Sequence, residues 1–180
     1  MAVKITKEDE ALLEMYSRAA SKRSSNLIYG NAVIISTVPI WLFWRIHSLP
    51  FAANSILYLI VSAACAFLMS YAYKGVKAPL MERVATRRSD AITKDVLAEM
   101  GRDKKISRKD RDDAIRERTK EVADCESTTF SIFFNNCLFL LVLLISSMVL
   151  QQISGQVNYF VSMLLAAGLT AFLSTGKGSF

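Results

Sequence analysis

The chain has 180 residues, of which 52% are hydrophobic and 21% charged, with a formal net charge of +6 and a mean hydropathy of +0.29. A soluble globule with charge spread evenly over its surface is excluded. Both populations are too large to be mixed, and they are separated along the chain. No Asp, Glu, Lys or Arg occurs between residues 127 and 176, whereas 27 of the 53 residues from 74 to 126 are charged.

The first 26 residues are polar and charged. Glu8, Asp9 and Glu10 precede Leu12, Leu13 and Tyr16 at helical spacing, which predicts a short amphipathic helix with acidic residues in its first turn. The first apolar run ends in Trp and Arg rather than a small-residue cleavage site, so it is expected to serve as its own insertion signal.

Uncharged stretches then run over residues 26–44, 46–73 and 127–176. A bilayer core needs about 20 helical residues, so the last stretch is long enough for two spans. Its natural interruption is QQISGQVN at 151–158, where a turn leaves no backbone group in lipid. The predicted spans are residues 27–44, 52–73, 130–150 and 157–174. Pro39 removes a hydrogen bond to the carbonyl of Ile35 and is expected to kink the first. Trp41, Phe43 and Trp44 mark one interface, Tyr71 and Tyr73 the other.

Between the second and third spans, Pro79 suits a first helical position. Leu80, Val84, Ala91, Ile92, Val96 and Met100 then recur near helical spacing up to Gly101. A second helix is expected from Ser107, with Asp110 completing its cap and Ile115 and Val122 on its apolar face, continuing into the third span. The predicted fold is all-α: a polytopic membrane protein with four transmembrane helices and a charged helical hairpin between the second and third. Its segments are 1–26, 27–73, 74–127, 128–175 and 176–180.

Lys and Arg number 5 before the first span, 15 in the central segment and 1 after the fourth, against Arg45 alone in the short connections. The positive-inside rule therefore predicts that both termini and the hairpin are cytosolic. Cys65, Cys125 and Cys137 all avoid the opposite side, so no disulfide is expected.

Among residues that could carry chemistry, Lys104, Lys105, Arg108, Lys109 and Arg111 cluster at the expected hairpin tip, beside a helix N-terminus. Mobile cations with free backbone amides suit polyanion phosphates. A solvated face is the competing reading, because Asp103, Asp110, Asp112 and Asp113 dilute the field. Arg102, Arg116 and Arg118 extend the tip, while Arg83, Arg87 and Arg88 lie nearer the membrane and equally serve topology or anionic lipid.

Within the spans Asn31, Asn135 and Asn136 are costly in lipid and are read as helix-packing groups at similar depth. Ala63, Ala64, Ala166, Ala167 and Gly168 are read as sites of close helix contact. No ionisable Asp, Glu, Lys or Arg lies at depth, and His47 is the only histidine. Neither a catalytic constellation nor a metal or cofactor site is expected, and the alternative readings are a membrane-surface adaptor binding anionic lipid and a small transporter or intramembrane enzyme.

Specific stretches are GNA at 30–32, VPIWLFWRI at 38–46, YAYKGVK at 71–77, ISRK at 106–109, EVADCESTTFSIFFNN at 121–136 and LSTGK at 173–177. On these the chain resembles the gamma subunits of the translocon-associated protein complex, also called signal sequence receptor gamma subunits, over nearly its whole length. The match is weakest at the first residues and over residues 78–101. The resemblance implies a non-catalytic four-span subunit of the endoplasmic reticulum membrane, with alpha, beta and delta subunits as partners, beside the protein-conducting channel. It also implies that the cytosolic segment reaches the RNA and protein of the ribosomal large subunit, which makes Lys104, Lys105, Arg108, Lys109 and Arg111 the first-choice contact.

Overall fold

A computed structural model describes the backbone of residues 7–100 and 108–175, and side chains at 22–98, at Lys109 and at 111–175. Among the described residues the order is α1 (Lys7–Arg45), α2 (Ser55–Met100), α3 (Arg108–Val149) and α4 (Gly155–Thr175). Each contains a segment long and apolar enough to cross a membrane, so the four-span, all-α class stands.

Three of these helices are longer than their spans. α1 has 39 residues, α2 has 46 and α3 has 42, each joining a charged part to an apolar part without a break. The helix expected to begin at Pro79 is instead the C-terminal part of α2. Proline already has the helical φ, and the lost bond to the carbonyl of Gly75 is a single defect in a long ladder. Pro39 likewise lies inside α1, where Ser36 and Thr37 donate their hydroxyls to the carbonyls of Val33 (2.9 Å) and Ile34 (2.8 Å).

The connections are short. After α1, Ser48 takes a left-handed conformation (φ 54°), and the amide of Leu49 reaches the Phe43 carbonyl at 3.3 Å. Asn54 then caps α2, its carbonyl accepting the Tyr58 amide at 2.9 Å, as Ser154 accepts the Asn158 amide at 2.9 Å at the start of α4. Gln156 Nε2 donates to Asn54 Oδ1 at 2.8 Å, which ties the two connections together at one end of the bundle.

The chain divides into two compact units. One comprises Leu27–Lys77 and Thr129–Phe180, the other Met1–Asn26 and Ala78–Thr128. In the first, one face of α4 packs against the apolar parts of α1, α2 and α3, meeting them at Phe43, Cys65 and Asn135 among others. Half of the apolar window of α4 is buried against 28–33% for the others, and beyond Met163 its inward positions are small: Ala166, Ala167, Thr170, Ala171 and Ser174 are all buried. Small side chains let helix backbones approach where lipid supplies no hydrophobic drive. Gly75 shows the limit, since a Cβ there would sit 2.8 Å from the carbonyl oxygen of Ser174. Phe43, Tyr58 and Tyr159 fill the end near the connections, with Tyr159 edge-on to Phe43 at 5.1 Å and to Tyr58 at 4.9 Å. Ala63 and Ala64, read above as close-contact residues, face outward instead.

The second unit has little apolar area to bury. Its described core is Ile92, Val96 and Ala123, with Leu80, Val84, Ile115 and Val122 partly covered. Ala91 faces outward, and Leu80, Val84, Ile92 and Val96 share one face of α2 at multiples of four residues, with the exposed Arg88 at the intervening position. Two polar contacts reinforce it. Ser24 Oγ and Thr128 Oγ1 lie 2.8 Å apart and buried, and Arg88 pairs with Glu126 at 2.9 Å.

Candidate functional site

All 16 acidic residues of the chain fall in the second unit, and the membrane unit carries only Arg45, Lys74, Lys77 and Lys177 as charged side chains. Any surface that reads a polyanion by cation density therefore belongs to the second unit. Of the residues expected there, Arg102, Lys104, Lys105 and the cap Ser107 lie outside the described residues. Arg108 opens α3, and Lys109 is exposed in its first turn. Arg111 is half-buried, its Nε enclosed without a hydrogen-bond partner among the described residues.

Cations in the first turn of a helix oppose the macrodipole, each by about 0.3–1 kcal/mol at an exposed site. Asp110 suits that position, whereas Arg108, Lys109 and Arg111 do not. Helix stability accounts for the acidic member of this turn and leaves the basic ones unexplained.

The remaining cations separate into committed and uncommitted groups. Arg118 is bound to Glu121 at 2.9 Å within α3, and Arg88 to Glu126 between α2 and α3. Arg83, Arg87 and Arg116 are exposed without an ion-pair partner among the described residues. Arg88 thus has a structural task that the sequence did not disclose, since Glu126 lies 38 positions away.

A polar network occupies the end of the membrane unit opposite the connections. Asn31 Nδ2 donates to Tyr73 Oη at 2.9 Å and lies 3.3 Å from Asn136 Oδ1, which also accepts the Tyr73 hydroxyl. This joins α1, α2 and α3. Asn135 Nδ2 donates to the Ser131 carbonyl at 2.8 Å, and its Oδ1 accepts the Ser174 hydroxyl at 2.5 Å, adding α4. Ser131 Oγ donates to the Tyr73 carbonyl at 2.6 Å. Lys74 Nζ donates to Tyr29 Oη at 2.6 Å nearby. Tyr73, expected only as an interface marker, is instead a buried member of this network. Its place at the end of span two, antiparallel to Asn31 near the start of span one, was the available signal.

These amides and hydroxyls satisfy one another and carry no titrating catalytic pair. His47 stacks on Phe43 with ring centroids 4.6 Å apart, and Cys65 donates to the Met163 carbonyl at 3.5 Å. Among the described residues no three metal-ligating side chains converge.

A family model described as "Translocon-associated protein, gamma subunit (TRAP-gamma)" matches residues 8–176. The chain belongs to that family. It is similar to the translocon-associated protein subunit gamma of Dictyostelium discoideum, 28% identical over 149 residues, which is 82% of this chain and 84% of that protein. Membership identifies a translocon-associated subunit of the endoplasmic reticulum membrane. The match covers both units, so the charged unit belongs to the family architecture as much as the four-helix bundle does.

Proposed function

We propose that this subunit fastens the translocon-associated complex to the translating ribosome through the basic segment between α2 and α3, and so assists translocation at the protein-conducting channel. Lys104, Lys105, Arg108, Lys109 and Arg111 would meet the phosphates of large-subunit RNA, with Arg102, Arg116 and Arg87 as secondary contacts. The observation that carries this reading is the cluster of cations at the opening of α3, where the helix dipole disfavours them. Arg88 and Arg118 contribute less, because each would first have to leave a carboxylate.

In this reading both termini and the α2–α3 segment are cytosolic, and the bundle, through its outward faces, holds the alpha, beta and delta subunits and lipid near the channel. The mechanism is a bivalent tether without catalysis. With the bundle held at the membrane, even a weak RNA contact acts at high effective concentration. Neutralising the phosphates opposite five cations gives a log–log salt slope of about −4 for ribosome binding. A titration of the reconstituted subunit with ribosomes against potassium chloride tests it. A slope near zero would exclude phosphate contacts as the source of affinity.

A further inference from the structure

The end of the membrane unit that carries the connections has an apolar groove on its outside, lined by Thr37, Ile40, Trp41 and Trp44 of α1 and by Phe51. Trp41, Trp44 and Phe51 are all at least 49% exposed there, a large ring area for one end of the unit. Arg45 is exposed and stands one helical turn beyond Trp41, so that Thr37, Trp41 and Arg45 follow one stripe of α1. Arg45, the last residue of α1, is also the sole Lys or Arg at this end of the unit, and the unit contains no Asp or Glu from which a counter-charge could come. No side chain of the unit competes with an external anion for it.

We infer that this groove is a binding site for an anionic phospholipid, with an acyl chain against Trp41, Trp44 and Phe51 and the headgroup phosphate on Arg45. Order along α1 fits the molecule: the apolar groove lies on the bilayer side and the cation at the helix end, where a headgroup would be. Indole rings favour this amphipathic depth, and a guanidinium can take a phosphate with two parallel hydrogen bonds. A net negative headgroup is selected over a zwitterionic one because Arg45 has no acidic side chain in its unit to offset its charge.

The chain's own fluorescence reads the site, since Trp41 and Trp44 are its two tryptophans. The full chain is reconstituted in phosphatidylcholine vesicles with a fixed minor fraction of brominated phosphatidylglycerol or brominated phosphatidylcholine as quencher. Phosphatidylglycerol is expected to be preferred about fivefold, the contribution of one basic residue at a membrane surface. The preference should weaken with salt, persist in Arg45→Lys and vanish in Arg45→Gln. Quenching by brominated phosphatidylcholine should be unchanged in Arg45→Gln, which also verifies that the variant is inserted. Equal quenching by the two lipids in the wild type, or a preference that survives Arg45→Gln, overturns the inference. A photo-crosslinker replacing Trp41 in membranes containing the assembled complex should give an adduct of lipid mass. A polypeptide as the main adduct would mean that a partner's helix fills the groove, and would overturn it equally.

Discussion

At the scale of single residues, two glycines of the bundle make opposite predictions. Gly75 has the backbone of α4 against it, with the Ser174 carbonyl oxygen 2.8 Å from where a Cβ would be. Gly75→Ala should destabilise the bundle by about 1–3 kcal/mol, because a backbone neighbour cannot swing aside. Gly30 has nothing within 4 Å. Gly30→Ala should therefore stabilise α1 by about 0.5–1 kcal/mol through the unfolded-chain entropy that glycine carries. Unfolding in mixed micelles reads both, and equal effects would contradict the close contact of α2 with α4. The Asn31, Tyr73 and Asn136 network is a third case. Hydrogen bonds between helices in lipid are worth about 0.6 kcal/mol on average, so Tyr73→Phe and Asn136→Leu should each cost little. Because they share a hydrogen bond, their combined effect should fall short of the sum. Strict additivity in a double-mutant cycle would mean that the bond contributes nothing.

At the scale of elements, the spans were legible because lipid enforces a crude rule: no charge for about 20 residues. What the rule does not see is where a helix ends once it leaves the membrane. Pro79 looked like a beginning because proline is common there, yet α2 passes through it and α3 passes equally from charged to apolar sequence. Composition changes at those points while backbone hydrogen bonding need not. Inward and outward faces were harder still. Ala63 and Ala64 read like Ala166 and Ala167 by size, but only the latter pair is buried, and a uniformly apolar helix gives no polar face by which to orient it. The proposed topology can be tested at the α3–α4 connection. A glycosylation sequon inserted between Ser154 and Gly155, on a spacer long enough to clear the membrane, should be modified. The same insertion after Gly101 should remain unmodified. The reverse pattern would invert the subunit.

For the whole molecule, the informative property is how charge is divided. A bundle without a single Asp or Glu is joined by three continuous helices to a unit holding all 16 acidic residues and most of the basic ones. The basic cluster of the proposed site was visible in the sequence as a run of residue types. Its separation into cations already committed to carboxylates, such as Arg88 and Arg118, and cations left exposed, such as Lys109 and Arg116, required the fold. Glu126 reaches Arg88 only because α2 and α3 run side by side there. The proposed tether is tested most directly by replacing Lys104, Lys105, Arg108, Lys109 and Arg111 together with Glu and measuring co-sedimentation of the intact complex with ribosomes. Membrane insertion and assembly with the alpha, beta and delta subunits serve as the check on folding. Loss of co-sedimentation with insertion and assembly preserved is the predicted result, and undiminished ribosome binding by the assembled variant would contradict it.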